Sequence, residues 1–173
     1  PDNTLFLLLS QRAARLPATV RSRCQALRLR TPPLEQAREA LPVSGGDAEL
    51  ALDLAGGAPL RAQSLLSLDI AGVWRQVAGG LGALLSGTAD PLRLAREWLK
   101  LPQAALDAAL YGWLRHALRR AGGDATARVA HTAPLARLQA FAAELEDFMR
   151  LREHPLVKDL ALQRVLYPLW MGA

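Results

Sequence analysis

The stretch LFLLLSQRAARLPATVRSRC, residues 5–24, decides how the chain begins to fold. Its first six residues, Leu5–Ser10, form an apolar run that is typical of a parallel strand buried on both faces. Pro17 suits the first position of a short helix. Leucine and arginine then alternate over Gln25–Arg30, which predicts a second strand. Two strands and one helix cannot form a core by themselves, so we expect the other strands of this sheet to lie outside this sequence.

The short helix is predicted to end in Ser22-Arg23-Cys24. An arginine in that position is well placed to reach out of its own subunit, and its guanidinium can fork onto phosphate oxygens. This is the geometry of an arginine finger, which stabilises the charge that develops on a phosphoryl group during transfer. The sequence has no glycine-rich turn that ends in Lys-Ser or Lys-Thr. We therefore expect the phosphate to be bound by another protein.

Composition limits the class of protein. Half of the 173 residues are apolar, mostly leucine and alanine, which favours helix. No apolar run reaches the roughly 18 residues that would span a bilayer. The net charge is +5, and residues 1–30 hold six arginines against one acid, whereas the remainder has 15 basic and 15 acidic residues. The N-terminal segment is thus expected to face phosphates or an acidic neighbour.

Cysteine and histidine give no metal site. The only cysteine, Cys24, excludes an internal disulfide and a multi-cysteine zinc site, and we expect it to be buried as a small apolar side chain. His116, His131 and His154 are far apart and lack metal-ligand spacing, so we interpret them as packing or surface residues.

Residues 31–68 predict three short helices. Leu34, Ala37 and Leu41 share one stripe of the first helix, and Asp47 can cap the second. The segment GGAPLRA, residues 56–62, ends the second helix and opens the third at Pro59, which places Arg61 early in that third helix.

Residues 69–173 predict five longer helices. The breaks fall at the glycine and proline positions 87–91, 101–102, 122–123 and 154–155. Two of the helices should run from Gln103 to Ala121 and from Leu135 to Arg152, because their leucines and aromatic residues recur at helical spacing. Aromatic residues spaced in this way among leucines are typical of a core or a subunit interface rather than of base stacking.

The run from Leu5 to Cys24 resembles the SRC-motif region of bacterial clamp-loader subunits, which belong to the AAA+ family. Ser10 falls where that family has its sensor-1 residue, and Arg23 falls on the arginine of the SRC motif. GGAPLRA resembles the lid segment of the non-hydrolysing subunit more than that of the motor subunits. The end, HPLVKDLALQRVLYPLW, residues 154–170, is similar to the last helix of the family's collar domain.

This resemblance implies a mainly all-α fold in three parts. Residues 1–30 would be a small α/β remnant of an AAA+ sheet domain, residues 31–68 a three-helix lid, and residues 69–173 a five-helix collar for oligomerisation. Members of the family form a circular pentamer through their collars, and ATP bound at subunit interfaces drives loading of a sliding clamp onto primed DNA.

The resemblance also implies roles for single residues. Arg23 would act in trans on ATP bound by a neighbouring subunit, Ser22 and Cys24 would place it, and Ser10 and Arg61 would support the interface without binding nucleotide. The chain would bind no cofactor and would not be an enzyme by itself. Its expected partners are the motor (tau/gamma) and delta subunits and, in the full complex, primed DNA, in the bacterial cytoplasm and away from membranes.

Two other classes of protein stay open at this point. The chain could belong to a motor ATPase subunit, in which case a GxxxxGKT segment would lie upstream of Pro1. It could also be a helical nucleic-acid-binding protein that uses the N-terminal arginines, which predicts binding that weakens steeply with salt.

Overall fold

The chain is mainly helical in the computed structural model, which describes residues 4–10, 13–151 and 158–170. Its contacts divide it into two compact units, Pro1–Thr31 and Pro32–Ala173. The mainly helical fold class is confirmed. No helix of the described residues is long and apolar enough to cross a membrane.

The first unit contains a 3-10 turn at Ala13–Arg15 and one short helix, α1, at Ala18–Arg21. The two predicted strands are wrong for the chain as it stands, because neither residues 4–10 nor 25–30 form a ladder with any described residue. The side chains of Leu5 to Leu9 are at least 64% exposed, and Leu27 and Leu29 are each 84% exposed. A strand needs a partner strand for its backbone hydrogen bonds and its buried face, and the described residues supply none.

The second unit begins with the three predicted short helices: α2 (Leu34–Glu39), α3 (Gly46–Leu54) and α4 (Pro59–Leu66). Pro59 is the first residue of α4, as its missing N–H favours. Two details of the prediction are wrong. Leu34 is exposed although Ala37 and Leu41 are buried. Gly45, with φ of 99°, stands at the N-cap of α3, and Asp47 lies inside the first turn without capping it.

Five further helices follow: α5 (Ile70–Leu85), α6 (Pro91–Trp98), α7 (Gln103–Ala121), α8 (Leu135–Leu151) and α9 (Lys158–Trp170). Four of them are longer than the three short helices, as predicted, whereas α6 has only 8 residues. The predicted break at His154-Pro155 lies outside the described residues. Asp69 and Asp90 cap α5 and α6 through their carboxylates, which accept from the backbone N–H of Gly72 and Arg93. All helices from α2 to α9 belong to the same compact unit, and α3 packs on both α5 and α7.

The core of this unit is built from leucine, alanine and aromatic side chains. Trp98, Trp113 and Phe141 are its largest fully buried residues, and the rings of Trp113 and Phe141 meet edge to face with centroids 5.7 Å apart. Trp74 is also buried. Tyr111, Tyr167 and Trp170 are exposed, so packing in the core explains only some of the aromatic residues.

Candidate functional site

Helix α1 is a single turn that is stabilised by hydrogen bonds at both of its ends. The carbonyl of Pro17 accepts from the N–H groups of Val20 and Arg21 at 3.0 and 3.1 Å. Pro17 therefore stands at the N-cap, one position before that predicted for it. At the other end, the Ser22 hydroxyl donates to the Thr19 carbonyl at 3.2 Å, which closes the turn with a side chain. So short a helix is marginal alone, and these end contacts fix its length.

Arg23 follows directly after this turn. Its backbone N–H donates to the carbonyl of Val20 at 3.2 Å, so its main chain is tied to α1. Its side chain is exposed and has no hydrogen bond or ion pair with another described residue. An always-charged guanidinium on a fixed backbone position is thus available to an anion that approaches from outside.

The other predicted site residues are placed as follows. Ser22 is the C-cap of α1 and directly precedes Arg23. Cys24 is exposed, so the prediction that it is a buried apolar side chain is wrong. Ser10 is exposed in the first unit, and Arg61 is exposed on the first turn of α4 in the second unit. Arg23 and Arg61 thus belong to separate units.

A polar network that the sequence did not reveal lies in the second unit. His116 is 1% exposed, and its Nε2 lies 2.5 Å from Oδ2 of Asp53. Its Nδ1 accepts from the backbone N–H of Arg128 at 3.2 Å, so the ring proton must be on Nε2 and is donated to Asp53. Arg115 donates to both the carbonyl oxygen and Oδ1 of Asp53, at 2.7 and 3.0 Å.

This network is structural. Every polar atom of the His116 ring is engaged, and Trp74 packs against the ring edge to face with centroids 5.8 Å apart. The aspartate comes from α3 and the histidine from α7, so their contact fastens the predicted lid segment to the predicted collar segment. The two residues are 63 positions apart in the chain, and no local pattern links them.

The remaining histidines and the acids offer no metal site among the residues that the structure describes, where no group of three or more potential ligands comes together. His131 is exposed, and His154 lies outside the described residues. His116 confirms the interpretation of a packing histidine.

Comparison with known proteins adds no relative: no family model, no curated protein and no solved structure matches this chain. The class that the fold defines is therefore a mainly helical protein with a short, basic, exposed N-terminal segment. A more particular function has to be argued from the residues themselves.

Proposed function

We propose that this chain is the C-terminal part of the delta-prime subunit of a bacterial DNA polymerase III clamp loader, and that it supplies an arginine finger in trans. The observation that carries the proposal is Arg23, which is exposed, unpaired among the described residues and fixed at the end of a one-turn helix within an SRC-like sequence. Its target is ATP bound by a neighbouring motor subunit, and the function is loading of the sliding clamp in DNA replication.

In this proposal Arg23 acts by electrostatic stabilisation of the transition state. During transfer of the terminal phosphoryl group, negative charge spreads over its equatorial oxygens, and a guanidinium stabilises that charge more than it stabilises bound ATP. The finger takes part in hydrolysis without binding nucleotide on its own chain. Arginine fingers of this type are worth roughly 10³ to 10⁵ in rate.

The exposed leucines of the first unit support the assignment to a sheet domain. Five consecutive apolar residues, Leu5 to Leu9, are exposed and belong to no helix. A segment of this composition is stable when it is buried on both faces as a central parallel strand. The proposed AAA+ setting supplies the neighbouring strands, with Ser10 at the strand end in the sensor-1 position.

The last helix supports a role in assembly. Leu160, Tyr167 and Trp170 of α9 are exposed by 55%, 45% and 39%, and the rings of Tyr167 and Trp170 lie 5.7 Å apart. Their spacing of seven and three residues places them along one side of the helix. An exposed apolar stripe of this kind suits a subunit contact, as the proposed collar requires.

The proposal is tested in a clamp loader rebuilt from full-length subunits. We expect Arg23→Ala to remove DNA-stimulated ATP hydrolysis at the adjacent motor site while the complex still assembles, and Arg23→Lys to restore little because it lacks the bidentate fork. Arg21→Ala is the matched control: it removes an exposed arginine from the end of the same helix. Unchanged hydrolysis in Arg23→Ala, or an equal loss in Arg21→Ala, would contradict the proposal.

A further inference from the structure

A groove crosses the second unit between helix α5 and the connection from α7 to α8. Its volume is about 750 Å³, which falls within the range of ligand sites in proteins. Trp74 and Trp113 contribute to its lining, with Trp74 8% exposed and Trp113 1% exposed, so the groove reaches down to the aromatic core.

Small residues leave the α5 side of the groove open. Ala78, Gly79, Gly82 and Ala83 line it. A Cβ atom added at Gly79 would meet nothing within 4 Å, and one added at Gly82 would meet only the His131 ring, 3.7 Å away. Another chain can therefore approach close to the helix backbone on this side.

The opposite side offers unpaired backbone. Val129, Ala130, His131 and Thr132 line the groove in an irregular segment. None of their backbone N–H groups donates to another described residue, whereas the preceding N–H of Arg128 is held by His116. Unpaired main-chain donors beside a groove are the feature that extended peptides use when they pair with a protein backbone.

The charge of the groove selects the partner. Its described lining residues include Arg75, Arg128 and His131 and no carboxylate, but the Arg128 guanidinium already lies 3.8 Å from Asp53 and 3.9 Å from Glu49. Among the described residues, the Arg75 side chain donates only to the Ala71 carbonyl, at 3.3 Å. Past Trp74, Arg75 and Arg128 the groove continues into a second depression of about 510 Å³, which Asp47 also lines. Two open depressions that share lining residues suit a linear chain, and Arg75, which has no ion pair with a described residue, suits a carboxylate of that chain.

We propose that this groove binds an acidic peptide segment of a partner protein, in an extended conformation. Its main chain pairs with the segment Val129–Thr132, an apolar side chain packs towards Trp74, and a carboxylate meets Arg75. This binding site is independent of Arg23 and of the proposed clamp-loader function, since all its residues lie in the second unit.

The first experiment uses the full chain and a short fluorescein-labelled peptide in which Glu and Leu alternate. We expect saturable binding by fluorescence anisotropy, about tenfold tighter than that of the same peptide with Gln in place of Glu, and weaker in high salt. In an amide spectrum of the ¹⁵N-labelled protein, the resonances of Val129 to Thr132 should shift on binding. No binding, equal binding of the Gln peptide, or shifts confined to other residues would overturn the proposal.

Two variants locate the site. Gly79→Leu fills the groove from an open, helical position, and Arg75→Glu reverses a lining charge. We expect each to weaken binding about tenfold or more, whereas Lys100→Glu, an exposed charge reversal outside the groove, should leave it unchanged. Equal effects of all three variants would overturn the proposal, as would an oligonucleotide or a second copy of this chain displacing the peptide from the groove.

Discussion

At the scale of single residues, Asp53 links helices α3 and α7 although its side chain is only half-buried. Its carboxylate accepts from the buried His116 ring and from Arg115, and Arg128 lies 3.8 Å away. Two of these donors come from α7, and the aspartate comes from α3. Sequence reasoning could place Asp53, Arg115 and His116 on helices, but it could not pair them, because the contact depends on how α3 and α7 cross.

Asp53→Ala should destabilise the second unit by about 1–3 kcal/mol, because the buried Nε2–H of His116 loses its acceptor. The measurement is urea unfolding followed by circular dichroism. Glu49→Ala is the matched control on the same helix, since its ion pairs with Arg38 and Arg128 are exposed and each worth about 0–1 kcal/mol. Equal losses in the two variants would show that the His116 contact has no special weight.

The contribution of Asp124 to the stability of the folded state should depend measurably on pH. The side-chain hydroxyl of Thr126, the backbone N–H of Thr126 and then Arg119 all donate to its carboxylate, and they lower its pKa from 3.8 to about 2. A carboxylate whose pKa is lower in the folded state stabilises that state above its unfolded pKa. The contribution is then lost as the pH falls through about 2.

The difference in unfolding free energy between the wild type and Asp124→Asn should therefore be constant above about pH 5 and should shrink as the pH falls towards 2. Denaturant titrations across this range measure it. Thr126→Val removes the largest cause of the shift and should reduce the same pH dependence. A difference that stayed constant down to pH 2 would contradict the assignment.

At the scale of elements, the sequence predicted the helices correctly where the signals that define them are local. Helix α7 begins at Gln103 after Pro102 and ends at Ala121 before Gly122-Gly123, as its periodicity and its flanking residues predict. The three short helices follow from the same kind of signal. The prediction of strands failed because strand formation depends on non-local contacts. Leu5–Ser10 has the composition of a strand, but a strand also needs a partner strand, and composition does not provide one.

Two glycines inside helices differ in what surrounds them. A Cβ atom added at Gly112 of α7 would collide with the Leu54 side chain of α3 and would lie 3.3 Å from Trp74 of α5. At Gly79 of α5 it would meet nothing within 4 Å. Gly112 is thus where three helices approach one another closely, whereas Gly79 is an exposed position in an ordinary turn of helix.

Gly112→Ala should destabilise the protein by about 1–3 kcal/mol, since overpacking outweighs the gain in helix propensity. Gly79→Ala should instead stabilise it by about 0.5–1 kcal/mol, because only the propensity term remains. The melting temperatures of the two variants, measured by thermal unfolding, test both expected changes in stability. If the two substitutions shifted the melting temperature in the same direction, the close approach of α3, α5 and α7 at Gly112 would be wrong.

At the scale of the whole molecule, the two units differ in how they bury apolar surface. The second unit has a core of leucine, alanine and aromatic side chains, in which Trp98 and Trp113 are almost inaccessible. The first unit leaves a run of five apolar residues exposed, with Leu9 at 93%. An exposed apolar segment whose backbone forms no hydrogen bond with another described residue can act as a template for pairing with another chain.

We therefore expect the chain to associate through this segment as its concentration rises. Leu7→Lys places a charge in the middle of the run and should reduce the association measured by static light scattering, because a lysine on an unpaired strand opposes edge pairing. Leu60→Lys is the control: Leu60 is 77% exposed but lies alone on helix α4, where it offers no strand edge. A drop in association with Leu60→Lys and none with Leu7→Lys would assign the association to the helical unit. The reverse result would fit a segment whose stable form is a strand within a larger sheet.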